Sequence, residues 1–124
     1  MKHLKPYKLF ENNQDELLEI KDIFQDFADD WDIYWVDELD WGGMMSSLYK
    51  NSDYFVYNIR EVVGNKDWQY LIDIILPQNK EHKVWKNFSK FRRELEFCQE
   101  RLIQIGFEDT TLGNDGIHYQ IAIN

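Results

Sequence analysis

One cysteine, two prolines and six glycines in 124 residues leave this chain short of the residue types that most often dictate small folds. The lone Cys98 cannot close an internal disulfide, so no cross-link framework stands in for a core. Pro6 and Pro77 fall where elements begin or end. Long apolar runs are missing as well. Nothing approaches the ~18 residues of a membrane span, and the N-terminus lacks the continuous apolar stretch of a secretory signal. Basic residues are outnumbered, with 14 Lys and Arg against 23 Asp and Glu, a formal charge of -9. That balance repels phosphate backbones and anionic lipid at long range. A cytoplasmic chain with no membrane partner, for which nucleic acid is disfavoured, is the expectation.

What the chain does have is 44% hydrophobic and 16% aromatic content, enough for one core and too little length for two. The expected organisation is a single domain over residues 13–124 behind a basic segment, 1–12, that is flexible or processed. Asn13 with Glu16 three residues on forms a capping box, and Leu17, Ile20, Phe24 and Phe27 recur at helical spacing, predicting a helix over 14–28. Its other side carries Asp15, Glu19, Asp22 and Asp26. In the following stretch, DDWDIYWVDELDWGG, Trp31, Ile33 and Trp35 alternate with Asp30, Asp32 and Tyr34, predicting a strand and then a loop. Residues 44–50 remain open between strand and helix.

The runs YFVYNIREVV and WQYLIDIIL flank the turn chemistry of GNKD and predict a hairpin in which Asn58 faces Asp73. Beyond Pro77, Asn79 caps a second helix with Val84, Phe88, Phe91, Leu95, Cys98, Leu102 and Ile105 on one stripe and Gly106 as its terminator. The last residues read as two strands around Asp115-Gly116. Two amphipathic helices and one antiparallel sheet, in the order α-β-β-β-α-β-β, make an α+β two-layer sandwich with both helices on the same sheet face. The opposite face, with Asn58, Arg60, Asp73, His118 and Gln120, is expected to stay accessible.

No catalytic or metal constellation emerges. Cys98 lies on an apolar stripe that disfavours a thiolate. His3, His82 and His118 are scattered and have no His or Cys partner at ligand spacing. The acids of DDWDIYWVDELD lack the glycine and the order of an EF-hand loop. No cofactor is implied, and the chain reads as a non-enzyme. The acidic and aromatic stretch instead supplies a surface for another protein, through Asp29, Asp30, Asp37, Glu38, Asp40 and Trp41. The alternative is nucleic-acid contact through KEHKVWKNFSKFRR, that is Lys80, Lys83, Lys86, Lys90, Arg92 and Arg93; a helix, three strands and a lysine-led helix resemble the double-stranded-RNA-binding domain. Edge strands leave both a monomer and a homodimer open.

The first residues, MKHLKPYKLFEN, begin Met-Lys, carry an aromatic and end in Leu9-Phe10-Glu11 before the helix cap. They resemble the capsid-targeting leader of internal head proteins of large tailed bacteriophages. The rest of the chain resembles small α+β proteins of such phages in general pattern. The resemblance implies cutting by a prohead protease after Glu11. It also implies a phage accessory protein, packaged in the virion or directed against a host function in the host cytoplasm.

Overall fold

The computed structural model describes residues 13–36, 53 and 55–124. Helix α1, Asn13–Trp31, buries Ile20, Ile23, Phe24, Phe27, Ala28 and Trp31. It runs past the expected end at residue 28, and Asp30 and Trp31 are helical where a strand is predicted. The reason is that Trp31 lies four residues beyond Phe27 and three beyond Ala28, so it continues the helical stripe as well as it starts an alternation. Its ring meets Phe91 at 5.6 Å, and its Nε1 donates to Glu94 Oε1 at 3.1 Å. The helix closes in a Schellman turn: Ile33 N donates to Ala28 O at 2.8 Å and Asp32 N to Asp29 O at 3.4 Å. Asp32 takes the left-handed position, with φ 58, that glycine usually fills. Asp32→Gly is therefore expected to raise unfolding free energy by about 0.5–1 kcal/mol. The ion pair it gives up, Asp32 Oδ2 to Lys83 Nζ at 2.9 Å, is exposed and worth less. Urea denaturation measures the difference, and a loss of stability would show that the ion pair dominates.

Strands β1 (Tyr34–Trp35), β2 (Val56–Glu61), β3 (Tyr70–Ile75), β4 (Thr110–Asp115) and β5 (His118–Ile123) form one sheet in the order β1-β2-β3-β5-β4. The β2-β3, β3-β5 and β4-β5 pairs are antiparallel, whereas β1 runs parallel to β2. Asn58 pairs with Asp73 in the expected register. The connection is closed by Asn65, whose side-chain oxygen accepts from the backbone of Asp67 and Trp68. At the last turn Gly116, with φ 65, and Ile117 are the two central residues, and a positive φ at the first of them suits the twist of a hairpin.

The second helix is broken in two. Helix α2, Lys83–Lys86, is capped by His82, whose Nδ1 accepts from Val84 N at 3.1 Å; Asn79 instead closes the preceding turn by accepting from Glu81 N. Asn87, at φ -127 and ψ 42, interrupts the helix before α3, Phe88–Gln104. The apolar stripe survives the break, with Val84, Phe91, Leu95, Cys98 and Leu102 buried. Gly106, at φ 121, ends α3 as expected, with Phe107 N donating to Leu102 O.

The helices pack on one face of the sheet as an α+β sandwich. Tyr57, Ile59, Tyr70, Ile72, Ile74, Tyr119, Ile121 and Ile123 point into one core with the stripes of α1 and α3. On the outer face a smaller cluster joins Val56 and Ile75 with Val36 and Ile117. Among the described residues, no helix is long and apolar enough to cross a membrane.

Candidate functional site

The outer sheet face differs from its expected character. Cross-strand pairing lines up Asn58, Asp73, Gln120 and Gly113 in one row, flanked by Ile75 and His118 on one side and Leu71 and Ala122 on the other. The expectation that this face stays accessible fails at its centre, where Asn58 is 2% exposed and Asp73 fully buried. Apolar neighbours explain part of this, since Val56 and Ile75 flank the row, and Asn58 Nδ2 is drawn to Val36 O at 2.8 Å.

Asp73 is the hub. Its Oδ1 lies 2.8 Å from His118 Nε2 and accepts from Gln120 Nε2 at 2.9 Å, and its Oδ2 accepts from Arg60 Nε at 3.3 Å. Burial alone would push its carboxyl up. The hydrogen bonds from His118 and Gln120, and then the charges of His118 and Arg60, more than offset this and hold it below the ordinary value of 3.8. Chemically, the arrangement orients an imidazole and an amide. Asp73 itself is sealed from solvent and positions its neighbours rather than touching a ligand.

The acids of α1 make the second surface. Asp22, Asp26, Asp29 and Asp30 are exposed and Glu19 is half-buried. Spacings of three and four set Glu19, Asp22, Asp26 and Asp29 on a single stripe, continued by Asp30. Asp29 and Asp30 thus sit on the last helical turn, not on a strand, and that turn holds no basic residue. Gln25 donates to Asp29 across one turn, while Lys21, the one lysine of α1, lies 4.2 Å from the Trp35 ring centre. Asp37, Glu38, Asp40 and Trp41, named with Asp29 and Asp30, lie outside the described residues, as do residues 44–50 and the Leu9-Phe10-Glu11 triplet.

The basic start of the second helix is largely engaged within the molecule. Lys83 binds Asp32 and the carbonyl of Asp30, Lys86 lies 3.5 Å from Glu81, and Lys90 lies 3.9 Å from Glu94. Lys80 sits 3.9 Å above the Trp85 ring, and Arg92 lies over Tyr119 at 5.6 Å. Arg93 is exposed.

The remaining candidates are structural. Cys98 is buried, and burial pushes its thiol up to about 12, which removes thiolate reactivity at neutral pH. His82 serves as a helix cap, and burial followed by the charge of Lys83 lowers its pKa. Sequence periodicity missed the buried pair of Glu16 and Tyr70, whose hydroxyl donates to Glu16 Oε1 at 2.8 Å. The only signal was an acid in the first turn, which capping chemistry already explained. Among the described residues, no group of three His, Cys, Asp or Glu side chains is placed to hold a metal ion. No protein-family model, curated protein or solved structure matches the chain.

Proposed function

We propose that this protein is a non-enzymatic binding module whose acidic α1 surface recognises a basic patch on another protein. The observation that carries this reading is the stripe itself. Glu19–Asp22, Asp22–Asp26, Asp26–Asp29 and Asp26–Asp30 are like-charge pairs at helical contact spacing, each destabilising by about 0.2–0.5 kcal/mol. Asp29 and Asp30 add an unfavourable interaction with the negative end of the helix dipole. A merely solvated face needs none of this, since alternating signs would be soluble and more stable. A helix that keeps four acids in line, with no base in its own last turn and Lys83 of α2 bound to its terminal Asp30 carbonyl and to Asp32 rather than to the stripe, retains a field that attracts cations and speeds encounter with a positively charged partner.

The nucleic-acid alternative through Lys80 to Arg93 has less support, because five of its six basic side chains are held by acids, rings or backbone of the same chain. The likeness of the first residues to a capsid-targeting leader supplies the setting of the proposal: a phage accessory protein, carried in the virion or directed at a basic host protein.

The test is the combined variant Asp22→Asn, Asp26→Asn and Asp29→Asn. A stability effect and a binding effect of opposite sign are expected. Relief of repulsion raises the thermal midpoint by about 3–5 °C, while the partner retained from host lysate at low salt is lost. A variant that melts lower than the parent would remove the physical basis of this reading.

A further inference from the structure

A groove of about 350 Å³ runs along the outer face of β4 and β5, lined by Trp68, Thr111, Gly113, Asn114, Asp115, His118, Gln120 and Ala122. Gly113 stands at its middle, in register with Gln120. Neither packing nor backbone asks for glycine there: a Cβ at this position meets no atom within 4 Å, and the residue is not in the left-handed region. A bare residue inside a strand weakens the strand, and it commonly marks a place where something else approaches the backbone. With Ala122 in the neighbouring row, Gly113 gives the groove a flat floor, and the half-buried Trp68 lines the same groove.

Among the polar side chains of the lining Asp115 is the acceptor that carries charge, Thr111, Asn114 and Gln120 can both donate and accept, and His118 turns its Nε2 to Asp73. Gln120 turns its Nε2 to Asp73, which orients the amide and makes its Oε1 the acceptor it can offer a ligand, beside the second N–H of the same group. Asp115 adds an exposed carboxylate, no lysine or arginine lines the groove, and the buried Asp73 carboxylate lies on the adjacent strand beside Gln120, already bonded to His118, Gln120 and Arg60. We propose that this groove binds a guanidinium group carried on a short apolar stem. The stem lies over Gly113 and Ala122 against the Trp68 indole, and the planar cation forks onto Asp115 and Gln120 Oε1, a match of shape and charge that an ammonium makes less well. The site lies on the sheet face turned away from the helices, so it stands independently of the α1 surface, and either can fail without the other.

The experiment is a titration followed by amide and indole NMR shifts, using butylguanidinium and its uncharged isostere butylurea. Butylguanidinium is expected to shift Gly113, Asp115, Ala122 and the Trp68 indole with a Kd of ~1–10 mM, and butylurea to bind roughly 10-fold more weakly. Gly113→Val fills the groove while suiting a strand; it is expected to melt at or above the parent temperature and to lose binding by about 10-fold or more. Asp115→Asn is expected to weaken binding by about 5-fold, and it decides the matter if the valine variant does not fold. A pentapeptide with one central arginine among alanines separates the sources: tighter binding than butylguanidinium assigns the site to an arginine of a partner chain, and equal binding assigns it to a free small cation. No shift at groove residues, equal response to both small ligands, or undiminished binding in the folded variants would overturn the proposal.

Discussion

Phe91→Ala is expected to lower the unfolding free energy by about 3–5 kcal/mol, the range for emptying a large aromatic site in a packed core. Phe91 is fully buried where α1, α3 and the sheet converge. Its ring lies 5.4 Å from Phe27, 5.6 Å from Trp31, 5.9 Å from Phe88 and 6.2 Å from both Phe55 and Tyr119. No single neighbour can fill the space without leaving the others, so the cavity collapses poorly and the cost belongs at the upper end. Against a typical total of about 5–15 kcal/mol, that is a large share of the whole. Urea denaturation at neutral pH measures it, and a loss below about 1 kcal/mol would mean that the two helices do not meet the sheet at this residue.

The second large effect is at Asp73. Replacing it with alanine strands the donors of His118, Gln120 and Arg60 around a buried gap, and a loss of about 2–4 kcal/mol is expected. The loss stays below that of a fully buried ion pair because the Arg60 side chain is 48% exposed and screened by water. Asp73→Asn keeps an acceptor and should cost less, about 1–2 kcal/mol. The pH dependence separates charge from shape. A carboxylate whose pKa is lower when folded than when unfolded contributes stability that is fully present above the ordinary value of 3.8 and is lost as pH falls through its folded value. The parent should therefore lose this contribution progressively below about pH 4, and Asp73→Asn should show a shallower acid limb. Parallel acid limbs in parent and variant would show that the carboxylate is not held ionised by its neighbours.

Parts of this fold were readable from residue order alone, and the reasons are local. The β2-β3 register follows from aromatic and β-branched runs on either side of one polar turn, so Asn58 opposite Asp73 is legible in the residue order itself. Gly106 was readable because a glycine after an apolar helical stripe has one common use. The end of α1 was not, because Trp31 satisfies both a helical and an alternating pattern, and only its contacts with Phe91 and Glu94 decide between them. Nor was the split at Asn87, since the stripe from Val84 to Leu102 continues across it. The parallel pairing of β1 rests on two residues and a partner twenty-two positions away, a contact no local pattern encodes.

For the candidate sites the difference is instructive. Alternation correctly assigned Asn58, Arg60, Asp73, His118 and Gln120 to one sheet face, but it carries no information about what covers that face. Asp73 is therefore a buried hub instead of an exposed acid. The acidic face of α1 was visible in the spacing of Asp15, Glu19, Asp22 and Asp26, and Asp29 joins it only because the helix runs past residue 28; the Lys90–Glu94 pair has ordinary i,i+4 spacing, whereas the engagement of Lys83 depends on the Asp32 turn, which no spacing encodes.

Recognition through the acidic helix is tested by salt-dependent retention of host-lysate proteins on the immobilised parent and on the Asp22→Asn, Asp26→Asn, Asp29→Asn variant. The expected result is a basic protein held by the parent at low salt, released as salt rises, and absent from the folded and more stable variant. Retention of the same protein, to the same extent and with the same salt dependence, by both forms would contradict it.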